Sequence, residues 1–190
     1  VVFCRTVTHG DNEHYGHALL SPHPIEIVKV APLPNAPDSW WPEARGALWA
    51  RIEIGGTPVN VLTTHLGLSP RERVIQMQAL LGPDWLGPVI TTEPVILCGD
   101  FNLSPGSAPY NLAMSRLHDV QAAGRGHRPQ ATFSSTRPLL RLDHIFVSAH
   151  FDTQRAFVPR NDLTRLASDH FPLLADLSFS VAAAETTTRT

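Results

Sequence analysis

Four apolar residues, Val95 to Cys98, run into a glycine and then into Asp100 and Asn102. The apolar run reads as a strand buried on both faces, and Gly99 breaks it. Side chains two apart on an extended segment point to the same side, so a carboxylate and a carboxamide are expected to project together from the end of a core strand. Burying an unpaired Asp is costly, so that strand end is expected to open into a cleft. The pair suits phosphate chemistry: the carboxylate can hold a metal or orient a water, and the amide can donate to a phosphoryl oxygen. Taken alone, the same residues read equally as a turn capped by Asp and Asn.

Three other segments carry groups of the same kind. Val59, Val61, Thr63 and His65 alternate along one face, with His65 last. Residues 139–148 read as a strand that carries Arg141, Asp143 and His144. Asp169 and His170 end a loop over 161–168 and lead into a last strand over 171–179. If these ends share one rim, they make a metal-assisted hydrolytic site. Hard carboxylate oxygens suit Mg²⁺ or Mn²⁺. No Cys/His set has zinc spacing, no Gly-x-Ser-x-Gly elbow occurs and no glycine-rich phosphate loop is present.

The elements that must position these groups fit one domain of 190 residues. A net charge of −2 gives no basic footprint, which argues against a protein that coats nucleic acid non-specifically. Arg125, His127 and Arg128 are the one compact basic group, and they read as a solvated loop. Two cysteines make no disulfide framework, and Cys98 reads as a small core hydrophobe. No run approaches the roughly 20 apolar residues of a membrane span. The first residue is Val1, so the lack of a visible signal peptide leaves cytoplasmic and secreted settings equally open.

Along the chain, strands are expected over 1–7, 25–30, 48–54 and 59–65, with Gly55-Gly56 as a hairpin turn. The polar tract over 8–16 reads as a loop, with a metal-binding tract as the other reading. Ser69-Pro70-Arg71-Glu72 starts a helix that runs to about residue 81. Tyr110, Ala113, Met114 and Leu117 mark a second helix. Residues 31–42 form a proline-rich loop in which Trp40 and Trp41 either line a groove or cover a core edge. Residues 122–130 read as a surface loop and 181–190 as a disordered tail. Strands outnumber helices, and hairpins mix with crossovers, which indicates an α+β fold of two packed sheets with helices outside.

Five stretches, in order, resemble the endonuclease/exonuclease/phosphatase superfamily: Gly16-x-Ala-Leu-Leu-Ser-x-x-Pro-Ile25, Thr64-His-Leu66 with Arg73-x-x-Gln76, Gly99-Asp-Phe-Asn102, Arg141-Leu-Asp-His-Ile-Phe-Val147 and Ser168-Asp-His170. The resemblance implies a four-layered α/β/β/α sandwich of two mixed sheets, with the active site at one rim. It implies a metal-dependent phosphodiesterase, phosphomonoesterase or nuclease acting on a lipid head group, a nucleotide or a nucleic acid. His170 would be the general base and Asp143 its partner on the other ring nitrogen. Asp169 would ligate the metal, and Asp100 would orient the water and share the ion. Asn102 would contact phosphoryl oxygens, and His65 would stabilise developing negative charge. The form of the His65 motif and the Arg73 helix look most like sphingomyelinase-like and phosphoinositide phosphatase-like members.

The chain also departs from the family pattern. Members open with a strand, a helix and a strand ending in Gln-Glu, whose Glu binds the metal, and no Gln-Glu pair occurs here. The expectation is an N-terminally truncated domain over 1–180, with Asp11 or Glu13 as substitute ligands or the ligand supplied from elsewhere. An unpaired sheet edge should then favour self-association. A non-catalytic remnant that binds phosphorylated ligands is the reading from another class.

Overall fold

The computed structural model describes residues 1–9, 13–36, 44–123 and 128–180. Trp40, Trp41, Asp11, Arg125, His127 and the tail over 181–190 lie outside the described residues.

The chain opens with β1 (Val2–His9) and β2 (Glu13–Leu19), which pair antiparallel. The tract expected to be a loop over 8–16 is therefore largely strand, and Glu13 pairs with His9. Next come β3 (Ile25–Pro32), β4 (Gly46–Ile54) and β5 (Thr57–His65). The hairpin at Gly55-Gly56 forms as expected, with both glycines at positive φ. Helix α1 (Pro70–Leu80) carries the chain across to β6 (Val95–Asp100), which lies parallel to β5. Then follow α2 (Ala108–Met114), β7 (His118–Asp119), α3 (Val120–Ala123) and β8 (Asp143–Val147). The chain continues with β9 (Phe151–Phe157), α4 (Asp162–Ala167) and β10 (Leu174–Phe179).

Six strands form a mixed sheet in the order β3-β4-β5-β6-β8-β7. Its two faces are built differently because successive side chains alternate between them. On one face Trp49, Leu62, Leu97 and Phe146 pack with Met77 and Leu80 of α1 and Tyr110 and Ala113 of α2. On the other, Ile52, Val59, Val61, Ile96 and Cys98 meet Leu19 of β2 and Phe151 of β9. The two smaller sheets, β1-β2 and β9-β10, thus cover the same side of the large one. The mixed six-stranded sheet, with α1 and α2 on one face and two-stranded sheets on the other, keeps the expected packing of sheets with outer helices, but the second layer is two separate antiparallel pairs instead of one mixed sheet. Burial pushes the Cys98 thiol up to about 11, in keeping with a packed hydrophobe rather than a reactive group.

Two further local expectations are corrected. Residues 161–168 are not a loop but contain α4, closed by a capping box in which Asn161 and Thr164 bond each other's backbone N–H. That helix buries none of its residues, so it leaves no apolar periodicity to find. The strand expected over 139–148 is shorter and begins at Asp143. Leu140 pairs instead with Phe133, and Arg141 reaches back to Asp119, which ends the extended run on that side.

Candidate active site

Three of the expected residues share one ladder row. His65 at the end of β5 is opposite Asp100 at the end of β6, and Asp100 is opposite Asp143 at the start of β8. Adjacent strands lie about 4.8 Å apart, so the register alone brings these side chains together. The same face of each strand carries the apolar row beneath them: Val59 and Val61 on β5, Ile96 and Cys98 on β6, Val147 and Ile145 on β8. Each inter-sheet row thus ends in a polar residue at one rim.

Gly99 makes the close approach possible. Its φ is +140°, and a Cβ there would collide with the Thr64 backbone carbonyl.

Asn102 does not continue the strand. Its φ is +49°, and its N–H donates to Asp100 Oδ1 at 2.9 Å. The capped-turn reading and the site reading hold together: one Asp100 oxygen builds the turn and the other faces the cluster. The left-handed turn, rather than strand parity, aims the Asn102 amide. Its Nδ2 donates to the Leu66 carbonyl at 2.9 Å and lies 3.0 Å from His65 Nε2. That same Nε2 is 3.3 Å from Asp100 Oδ2. One ring nitrogen can serve only one of these at a time: bare, it accepts from the amide; protonated, it donates to the carboxylate.

His170 arrives from outside the ladder. Phe133 bridges both Leu140 and His170, and its ring lies 4.8 Å from the imidazole. His170 Nδ1 lies 2.7 Å from Asp143 Oδ2, and its Nε2 lies 3.8 Å from Asp100 Oδ2. Burial works to lower the His170 pKa, but the Asp143 hydrogen bond and the charges of Asp143, Asp100 and Asp169 outweigh it and raise the pKa above its ordinary value. Burial, with help from the Asp143 charge, raises the Asp100 carboxyl against the opposing Asn102 N–H, His65 and His170.

The ligand atoms of Asp100, Asp143 and His170 lie within 4.8 Å of one another. Two carboxylates and an imidazole fit a hard divalent cation that keeps positions open for water and phosphate oxygens. Asp169 is exposed and stands outside this group, with its Oδ1 3.4 Å from Ser168 Oγ. Glu13 lies on β2 and Arg128 is exposed.

The helix motif is structural. Gln76 Oε1 accepts from Gly67 N–H at 2.8 Å, and Arg73 donates to the Leu68 carbonyl, so α1 holds the loop that follows His65.

Sequence reasoning missed three supports. Asp119, fully buried, accepts from Tyr110 Oη at 3.0 Å and Arg141 at 2.6 Å, and lies 3.2 Å from His144 Nδ1. These partners anchor the backbone on both sides of Asp143. Phe133 sits in an unpatterned segment and gave no signal. His17, in the first matching motif, lies close enough to His65 for that charge to help lower its pKa, after burial.

A sequence model described as "Endonuclease/Exonuclease/phosphatase family" matches residues 2–170. An uncharacterized protein of Escherichia coli K12, YbhP, is 34% identical over 167 residues, which make up 86% of this chain and 63% of that protein. The chain therefore spans less than two thirds of that relative's length. The human Nocturnin catalytic domain with bound sulfate superposes with a TM-score of 0.65 at 23% identity, covering 94% of this chain and 72% of that one. A mannosyl-6-phosphatase of Bacteroides thetaiotaomicron gives 0.63 at 22% identity over 82% and 67%. A humanized Danio rerio TDP2 gives 0.67 at 18% over 93% and 76%. Such low identities speak to fold alone, but the family match runs from β1 through His170 and takes in every residue of the cluster. The chain belongs to the endonuclease/exonuclease/phosphatase family.

Proposed function

We propose that the chain is a divalent-metal-dependent phosphohydrolase that cleaves phosphodiester or phosphomonoester bonds with an activated water. The observation that carries this reading is the row His65–Asp100–Asp143 with His170 bonded to its end. Asp143 accepts the hydrogen bond from His170 Nδ1–H, which leaves Nε2 to accept a proton from water. Asp100 faces that nitrogen across a gap of 3.8 Å and orients the same water. Asn102 and His65, side by side, donate to the non-bridging oxygens as negative charge builds on the phosphoryl group. Asp100 would hold the ion, joined by Asp169 from the exposed rim beside His170 rather than from within the Asp100–Asp143–His170 group. When bound, Mg²⁺ or Mn²⁺ would supply positive charge at the phosphoryl oxygens and the leaving group. The family is hydrolytic, and its similar folds include a phosphatase.

Hydrolysis of an activated phosphodiester and an activated phosphomonoester, each with Mg²⁺ or Mn²⁺, tests this. Turnover of either is expected, and the preferred ester sets the subclass. Absence of turnover with both esters and both ions overturns it.

A further inference from the structure

The row of strand ends does not stop at His65. Ala47 pairs with Thr64, so Gly46, the next residue toward the rim on β4, continues the row on the side of His65 away from Asp100. Gly46 contributes no side chain, and residues of the covering layer take its place. A Cβ there would collide with the Thr6 side chain of β1. His17 of β2 brings its Nε2 to 3.1 Å from the Gly46 carbonyl, and Thr64 Oγ1 donates to the same oxygen at 3.0 Å.

Strand alternation explains why His17 arrives there. His17 and Leu19 are half-buried on one side of β2, whereas Gly16, Ala18 and Leu20 are exposed. Leu19 packs on Ile52 and Val59 between the sheets, and His17 is the next residue on that side toward the rim. Gly46 stands one strand spacing, about 4.8 Å, from the His65 backbone, and the His65 charge is felt at His17.

A carbonyl only accepts, so His17 Nε2 carries the proton and donates to Gly46, which leaves Nδ1 bare. Nδ1 has no partner among the described residues, yet it is not one of the buried polar atoms left without one, so it is open to solvent. Leu19 closes the direction of the core, so that opening faces the rim. Burial, with the charges of His65 and Arg45, outweighs the Gly46 bond and holds the ring's pKa below its ordinary value, which keeps it neutral. What such a nitrogen binds follows from its chemistry. An ionised phosphoryl oxygen carries no proton to give it. An ammonium group would meet the charge of Arg45. A hydroxyl donates a proton and brings no charge.

We propose that His17 is a specificity-determining residue beside the phosphoryl site: its bare Nδ1 accepts a hydrogen bond from a hydroxyl on the alcohol part of the ester, and so selects hydroxyl-bearing esters over alkyl ones. Its place beside a phosphoryl group rests on the hydrolytic reading above, whereas the hydroxyl contact requires no turnover.

Nitrogen NMR of the histidine rings, with Mg²⁺ and two non-hydrolysable phosphonates, reads the contact with no chemistry running. His17, identified by the signal lost in His17→Gln, is expected as the Nε2–H tautomer. A propylphosphonate with a terminal hydroxyl should shift its Nδ1 resonance, and butylphosphonate, which carries a methyl in place of that hydroxyl, should not. Kinetics read the selectivity. Of two nitrophenyl phosphodiesters that differ in the same way, the parent should prefer the hydroxylated one by about tenfold in kcat/KM. Gln sets a donor where Nε2 stands and Asn an acceptor where Nδ1 stands, so His17→Gln should lose the preference and His17→Asn keep it. An Nδ1–H tautomer, an equal response to both phosphonates, or none to either, overturns the proposal. So does a parent indifferent to the hydroxyl. A preference that survives in His17→Gln would make His17 a structural clasp and overturns it too. A hydroxyl-dependent Nδ1 shift without turnover of any ester would leave the contact standing and fail the hydrolytic reading alone.

Discussion

Asp143 Oδ2 lies 2.7 Å from His170 Nδ1, and the two residues come from segments with no shared strand. The contact fixes which nitrogen of His170 faces the reacting centre, and it raises the pKa of the ring together with the charges of Asp100 and Asp169.

Asp143→Asn therefore acts on orientation and on titration. A base works when unprotonated, so a raised His170 pKa places the acidic limb of the rate profile at higher pH. Removing the Asp143 charge moves that limb to lower pH and lowers kcat/KM by about 10²- to 10⁴-fold. A pH–rate profile of both proteins checks it. A limb that stays in place would mean that His170 is not the titrating base.

Gly99→Ala attacks the ladder instead of the chemistry. The added Cβ meets the Thr64 carbonyl at a φ of +140°, and neither strand can yield without breaking the His65–Asp100 register. The expected loss is about 3–5 kcal/mol in denaturant unfolding. A loss under about 1 kcal/mol would mean that the backbone there is not held as described.

Much of this was legible in the sequence because periodicity and chemistry coincide. The β5 row ending in His65 and the β6 run ending at Asp100 are strand signals that stop at functional groups. Asn102 was placed beside the site for the wrong reason, since a left-handed turn and not strand alternation aims it. Helix α4 and Phe133 left no pattern because exposure and irregular backbone produce none. Asp119 was invisible because a lone buried carboxylate is defined by Tyr110, Arg141 and His144, which only the fold brings to it.

Asp119 predicts acid sensitivity. Burial works to raise its pKa, but the His144 hydrogen bond, the His144 and Arg141 charges and the Gln121 N–H outweigh it, so the folded value lies below the ordinary one. Its contribution is present above the unfolded pKa of about 3.9 and is lost as pH falls through the lower folded value. Asp119→Asn should cost about 3–5 kcal/mol near neutral pH, because it leaves the Arg141 charge buried without its partner. The gap between variant and parent should narrow in urea unfolding as pH falls below about 3.9. A constant gap would mean that the loss is not electrostatic.

Edge strand β3 predicts self-association. Among the described residues it pairs with β4 on one side only, and Ile27, Val28 and Val30 along it are 47%, 41% and 37% exposed. Unpaired apolar edges recruit other strands. Light scattering after size exclusion should report a dimer that Val28→Lys converts to monomer. A parent that is monomeric at every concentration contradicts this.

Hydrolysis of a soluble activated phosphate ester, run in parallel with Mg²⁺, with EDTA and with the His170→Ala variant, tests the central claim most directly. The expected result is turnover with metal, none above background in EDTA, and a loss of at least about 10²-fold in the variant. Equal turnover in EDTA, or an unimpaired His170→Ala variant, would contradict a metal-dependent site built on the His65–Asp100–Asp143 row.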